Sequence, residues 1–214
     1  MKPLSLIVGA LGVNCYIPYC EQTRQCALID PGDRADRILG LIQRNNLKPK
    51  YILLTHGHFD HIGAVNELRE QTGAQVGVHP EDLAMLTDPM KNLSSLAGVE
   101  PIKVSADIMV EDGMTLQVGN IRLKAIHTPG HTRGGLCYLA EGVLFTGDTL
   151  FAGSVGRTDL PGGSHHTLIK SIRQKLFILE DDLTVFPGHG PISSLRQERI
   201  SNPYLQGREE LEWE

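Results

Sequence analysis

The stretch Leu53-Leu54-Thr55-His56-Gly57-His58-Phe59-Asp60-His61-Ile62-Gly63-Ala64 decides how this chain is read. It begins inside an apolar run, Tyr51–Leu54, with no polar alternation, so a strand buried on both faces is expected there. Three imidazoles and a carboxylate follow at once: His56, His58, Asp60 and His61. Alternate side chains at a strand end point the same way, which directs His56 and His58 together. Asp60 and His61 lie one short turn further on. Imidazole binds divalent metals without deprotonation at neutral pH, and mixed imidazole–carboxylate ligation suits zinc, iron or manganese.

Three downstream places have the same context, a predicted strand end next to glycine. They are Thr128-Pro129-Gly130-His131-Thr132, Thr146-Gly147-Asp148-Thr149 and Phe186-Pro187-Gly188-His189-Gly190. Strand ends are rigid, and glycine permits close backbone approach. The four loops together offer five His and two Asp, more than one metal takes, and two metals bridged by a carboxylate and a water or hydroxide suit them. A satisfied turn histidine is the better reading of His131 or His189 alone, but not of all seven residues together.

The surrounding chain supplies the strands. Short apolar runs at Leu4–Val8, Asn14–Pro18 and Gln25–Ile29 are separated by turns. Asp30-Pro31-Gly32-Asp33 breaks the third, and Asp33 is expected to cap a helix with Ile38, Leu39, Leu41 and Ile42 on its apolar side, ended by Lys48-Pro49. A helix through Val65, Leu68 and Arg69 ends near Gly73, Gln75–Val78 is a strand, and His79-Pro80-Glu81-Asp82 opens a short helix to Leu86. Residues 87–106 read as irregular. Strands return at Thr115–Val118, Ile121–Ile126, Gly135–Ala140 and Val143–Phe145. After a loop at 149–163 comes a helix with Leu168, Ile169, Ile172, Leu176 and Phe177 on one side, then a strand at Leu183–Phe186. Strands then helices, twice, suggests two facing sheets with helices outside, and the whole of 1–214 reads as a single domain.

Composition narrows the function. Net charge is −5 and pI about 6.0, against a nucleic-acid surface. No apolar run reaches the ~20 residues of a membrane span, and the N-terminus lacks a secretory pattern, so a cytoplasmic protein is expected. Cys15, Cys20, Cys26 and Cys137 form no CxxC pair and read as buried free thiols. His79 reads as structural, His127 as backbone-bonded, His165-His166 as surface or capping, and Arg133 as solvated.

The His56-x-His58-x-Asp60-His61 motif, with His131, Asp148 and His189 downstream, resembles the ligand set of the metallo-β-lactamase superfamily over nearly the whole chain. That resemblance implies an α/β fold, a four-layer αββα sandwich of two mixed sheets with helices outside and a dinuclear site at one edge. It implies that His56, His58 and His131 hold one divalent ion, that Asp60, His61 and His189 hold the other, and that Asp148 bridges them. Zinc is the first expectation, iron or manganese the alternatives.

Within the superfamily, oxygen-reducing diiron members carry Glu where this chain has His58. β-Lactamases proper generally lack a bridging Asp like Asp148 and are usually exported. RNA-processing members usually bear added domains or a basic arm. The loop Leu150-Phe151-Ala152-Gly153-Ser154-Val155-Gly156-Arg157-Thr158-Asp159-Leu160-Pro161-Gly162-Gly163 is similar to that of glyoxalase II-type thioesterases and persulfide dioxygenases, which act on glutathione derivatives. Compact bacterial type II glyoxalases match best overall, through Arg199-Ile200-Ser201-Asn202-Pro203-Tyr204-Leu205. Full-length glyoxalase II adds a C-terminal helical domain that helps hold glutathione, whereas about two dozen residues follow His189 here.

The resemblance implies hydrolysis of a thioester such as S-D-lactoylglutathione by a metal-bridging hydroxide, with Asp60 orienting the hydroxide. A thiolate, with a parent pKa of about 8.5, leaves without a strong general acid. Arg157 and Asp159 are the expected substrate-binding residues, Arg157 gripping a carboxylate with two hydrogen bonds, or else the two pair with each other across the turn. The rivals are a mononuclear-iron persulfide dioxygenase and a non-enzymatic metal-binding module.

Overall fold

In the computed structural model, which describes residues 2–206, the chain builds two six-stranded sheets and a two-stranded ribbon. The first sheet runs in chain order: β1 (Leu4–Val8), β2 (Val13–Ile17), β3 (Gln25–Ile29), β4 (Lys48–Leu53), β5 (Gln75–Val78) and β6 (Ile108–Met109). β1, β2 and β3 pair antiparallel, whereas β3 through β6 pair parallel. The second sheet contains β7 (Thr115–Val118), β8 (Ile121–His127), β9 (Leu136–Ala140), β10 (Val143–Gly147), β13 (Thr184–Pro187) and β14 (Ser193–Ser194). Among the described residues, its only parallel pair is β10 with β13. β11 (Leu150–Phe151) and β12 (Ser154–Val155) form the ribbon. The helices are α1 (Ala35–Arg44), α2 (Phe59–Ile62), α3 (Val65–Thr72), α4 (Leu83–Thr87), α5 (His165–Ser171) and α6 (Leu195–Ser201). A 3₁₀ turn, Pro80–Asp82, precedes α4, and a π-helical turn, Ile172–Leu176, continues α5.

The layering follows from the period-two alternation of the strands. Tyr16, Ala27, Ile29, Tyr51 and Leu53 face Leu123, Ala125, Tyr138 and Phe145 between the sheets. Their neighbours Cys15, Ile17, Cys26, Leu28, Ile52 and Leu54 point the other way, onto Ile38 and Ile42 of α1 and Val65 and Leu68 of α3. On the far side, Ile126, Cys137, Leu144 and Val185 meet Leu168, Ile172 and Leu195. The central strands are buried on both faces because each carries two apolar sets, one per layer. The result is the expected αββα sandwich of mixed sheets.

Two expectations need correction. Asp33 does not cap α1: Arg34, left-handed at φ 56°, occupies that position without a capping side-chain bond, and Asp33 Oδ1 accepts from the Arg34 N–H at 2.6 Å. Lys48 and Pro49 do not end α1, which stops at Arg44; they begin β4. Pro49 is tolerated because β5 joins β4 only from Tyr51, and the β3–β4 register slips at that point. The irregular stretch is irregular, and all four cysteines are buried and unpaired. Among the described residues, no helix is long and apolar enough to cross a membrane. Met1 and residues 207–214 of the expected 1–214 domain lie outside the described residues.

Candidate metal centre

Four of the seven candidate ligands leave the first sheet at the end of β4. Asp30, at the end of β3, shapes that turn: its Oδ1 accepts from the Thr55 N–H at 2.7 Å and its Oδ2 from the Thr55 hydroxyl at 2.6 Å. That hydroxyl, having given its proton to Asp30, accepts from His56 Nδ1 at 3.1 Å, which leaves His56 Nε2 facing inward without a proton. His58 is extended and precedes α2, whose single turn carries Asp60 and His61. His61 Nδ1 lies 3.0 Å from Asp30 Oδ2, so Nε2 is its inward atom.

The second sheet contributes the other three, each at the C-terminal end of a strand: His131 after β8, Asp148 after β10 and His189 after β13. Backbone carbonyls orient two of them. His131 Nδ1 donates to the Arg157 carbonyl at 2.7 Å, and His189 Nδ1 to the Leu11 carbonyl at 3.1 Å, which fixes both tautomers and frees both Nε2 atoms.

The inward atoms converge. His58 Nδ1 and His131 Nε2 are 3.0 Å apart. Asp60 Oδ2 lies 3.3 Å from His189 Nε2 and 3.7 Å from His61 Nε2. Asp148 sits centrally, 3.5 Å from His61, 3.6 Å from His131 and 3.7 Å from His189. A tetrahedral zinc site with metal–nitrogen bonds of about 2.05 Å has ligand atoms about 3.3 Å apart, and these separations bracket that value. His56 Nε2, His61 Nε2 and Asp148 Oδ1 are buried without a hydrogen-bond partner among the described residues, a rare condition for polar atoms unless something else binds them. Three groups meet the spacing a metal needs: His56, His58 and His131; His56, His61 and Asp148; and Asp60, His61 and His189. The residues present therefore fit divalent metal.

Gly188 makes this packing possible. A Cβ there would stand 2.4 Å from Asp148 Oδ1 and 2.9 Å from His61 Cε1.

Charge is divided unevenly. Burial, then the neighbouring His61 and His131, keep His56 well below the usual imidazole range. Burial and His131 hold His58 down at about 3. Burial also acts downward on His61, but Asp148, Asp30 and Asp60 overcome it and raise this ring to about 10. Asp60 is lowered: burial acts upward, and His61 and His189 outweigh it. His189 is raised by its bond to Asp60 and by Asp148, against burial.

The centre floors a cleft of about 480 Å³ whose walls are Leu11, Phe59, Leu93, Phe151, Val155 and Leu160. Arg157 also lines it. Its Nε and Nη2 donate to Asp159 Oδ1 and Oδ2 at 2.8 and 2.7 Å in an exposed bidentate pair. Apart from Arg157, every titratable side chain in the described lining belongs to the seven. His79 and His127 stack on each other with ring centres 3.9 Å apart, away from the centre, and His165 and His166 are exposed. The His127 ring lies 2.8 Å from the Arg133 carbonyl through Nε2.

Sequence reasoning missed Asp30, treating it only as a strand breaker. It shares the context of the ligands, a polar residue at a strand end with a glycine close by, Gly32, and that signal would have found it.

Comparison with known proteins gives the family and the fold. The chain matches the family described as the metallo-beta-lactamase superfamily over residues 8–189. The probable metallo-hydrolase YqgX of Bacillus subtilis is 38% identical over 97% of this chain and 99% of that protein. Hydroxyacylglutathione hydrolase GloC of Haemophilus influenzae is 35% identical over 94% of this chain and 96% of its own length. Among solved structures, BLEG-1 B3 metallo-beta-lactamase superposes with a TM-score of 0.91 at 38% identity, covering 96% of this chain and 100% of that one. TTHA1623 in a di-iron-bound form gives 0.83 at 36% identity, covering 96% and 100%. ETHE1 from Myxococcus xanthus gives 0.78 at 30% identity, covering 95% of this chain and 84% of that one.

Proposed function

The chain belongs to the metallo-β-lactamase superfamily, and on that premise we propose that it hydrolyses a thioester of the S-D-lactoylglutathione type to a hydroxy acid and glutathione. The observation that carries this reading is a cleft floored by five of the seven convergent residues, His58, Asp60, His131, Asp148 and His189, whose described lining has no other titratable side chain but Arg157, which stays protonated. Amide cleavage requires a proton for its leaving amine. A thiolate, with a parent pKa of about 8.5, departs without one. The near-full-length similarity to GloC supports the same substrate class.

His56, His58 and His131 would hold one divalent ion and Asp60, His61 and His189 the other, with Asp148 between them. Bound there, two such ions supply a nucleophile from water at neutral pH and polarise the thioester carbonyl. Zinc suits this donor set, and so do iron and manganese. The protein's own residues do the rest. Asp60, kept ionised by His61 and His189, accepts a hydrogen bond from the attacking water and orients it. The apolar walls, Phe59, Leu93 and Phe151 among them, exclude bulk water from the acyl group. Arg157, paired with Asp159, stands at the cleft, where a substrate carboxylate can exchange for that partner. Four unpaired cysteines suit the reducing cytoplasm.

The test is S-D-lactoylglutathione hydrolysis, with metal analysis, for the native protein, His58→Ala and Asp148→Ala. Loss of turnover together with metal is the expected result, and unchanged turnover in either variant overturns the scheme. A second reading, a mononuclear-iron persulfide dioxygenase, draws support from the likeness to ETHE1. Oxygen uptake with glutathione persulfide, at one iron per chain, would replace the hydrolytic reading.

A further inference from the structure

Asp82 is a carboxylate with 1% exposure, and among the described residues neither Lys nor Arg pairs with it. Leaving such a group in the interior is costly unless several donors satisfy it. Its donors come from two places. Oδ2 accepts from the Gly57 N–H at 3.1 Å and from the Thr132 hydroxyl at 2.7 Å, and Oδ1 accepts from the Gly134 N–H at 2.7 Å.

The donors' positions are informative. Gly57 lies between His56 and His58, while Thr132 and Gly134 lie one and three residues after His131. One carboxylate therefore joins the loop after β4, in the first sheet, to the loop after β8, in the second. These are the two loops that bring the three imidazoles of one candidate set together, with ring centres 4.7 to 4.8 Å apart. The fit is tight: a Cβ on Gly134 would lie 2.7 Å from Asp82 Cγ. The other set draws its supports elsewhere, from Asp30 on His61 and the Leu11 carbonyl on His189.

We propose that Asp82 is the positioning residue of the His56–His58–His131 set, holding its two loops at the spacing one divalent ion requires. The proposal rests on the ligand assignment given above but not on the reaction, since a protein that cleaves no thioester can still bind metal in this way.

The experiment strips the full chain of metal and titrates it with Zn²⁺, and separately with Co²⁺, against a chromophoric chelator, resolving two stepwise affinities. His58→Ala identifies which step belongs to the three-imidazole set. Asp82→Asn, which turns an acceptor into a donor facing donors, is expected to weaken that step by about 10- to 100-fold, the usual effect of losing a ligand's outer support, and to leave the other step unchanged. The visible spectrum of Co²⁺ at the weakened step should change with it. Thr132→Val removes one donor of three and should weaken the same step by less; it decides the question alone if Asp82→Asn does not fold. Folded variants that keep both affinities, or lose both equally, overturn the proposal.

Discussion

His61 carries the site's most unusual charge. Three carboxylates surround a fully buried ring, and its pKa rises to about 10, while His58, a few residues away, falls to about 3. A raised pKa means the proton is held below about 10, so in the metal-free protein at neutral pH His61 is an imidazolium whose Nε2 cannot bind a cation. Metal must displace that proton, whereas His58 has none to lose. Calorimetric titration with Zn²⁺ in buffers of different ionisation enthalpy should therefore report at least one proton released per chain, with the His61 share vanishing as pH rises through about 10. Binding with no release at neutral pH would contradict the charge distribution. Gly188 gives a steric counterpart. Gly188→Ala drives a methyl group against Asp148 and His61, an overpacking that costs about 1–3 kcal/mol, and should lower metal stoichiometry in a protein that remains folded. The seven candidates were legible from sequence because ligand residues crowd into short, glycine-flanked strand ends. Asp30 shared that strand-end context, whereas Asp82 did not, because a carboxylate that holds another loop by hydrogen bonds obeys no local spacing.

Elements divide in the same way. The longer strands and α1, α3 and α5 were readable from apolar periodicity, since each fills a layer. β6, β11, β12 and β14 are two residues each, too short to display a period, and Pro49 at the start of β4 reads as a breaker until the one-sided pairing there is known. α6 belongs to this hidden group, yet it supports the cleft. Its Glu198, 1% exposed, accepts from the Gly153 N–H at the tip of the β11–β12 ribbon and from Asn202 Nδ2, both at 2.8 Å, and also from the Ser193 hydroxyl. The ribbon bears Phe151 and Val155, two cleft walls. Glu198→Ala strands these donors, and leaving buried groups unpaired costs about 1–3 kcal/mol. At about 2–4 °C per kcal/mol for a chain of this size, the melting temperature should fall by several degrees. With the wall loosened, KM for a thioester should rise more than kcat falls. A variant with unchanged melting and unchanged KM would show that α6 is not a brace for the ribbon.

In the whole molecule, the sheets meet through an apolar interior, through the Tyr138 hydroxyl donating to the Leu54 carbonyl at 2.9 Å, and through the candidate centre. Like the other two, the centre is assembled by docking. His56, His58, Asp60 and His61 come from one sheet and His131, Asp148 and His189 from the other, so neither sheet alone presents a complete set. A ligand that recognises only the docked state shifts the folding equilibrium toward it, by about 2.7 kcal/mol when free ligand is a hundred times its dissociation constant. At about 2–4 °C per kcal/mol, each Zn²⁺ site filled at that excess should raise the melting temperature by about 5–10 °C over the chelator-treated protein. His58→Ala should erase part of that rise, because it removes a ligand from one set and leaves the other whole. If the ions instead sat on ligands of a single sheet, metal would protect that half without adding to the cooperativity of the whole. Melting followed by calorimetry and by the fluorescence of the tyrosines between the sheets would then separate into two transitions. A single transition that moves with metal is the outcome the two-sheet origin of the ligands requires.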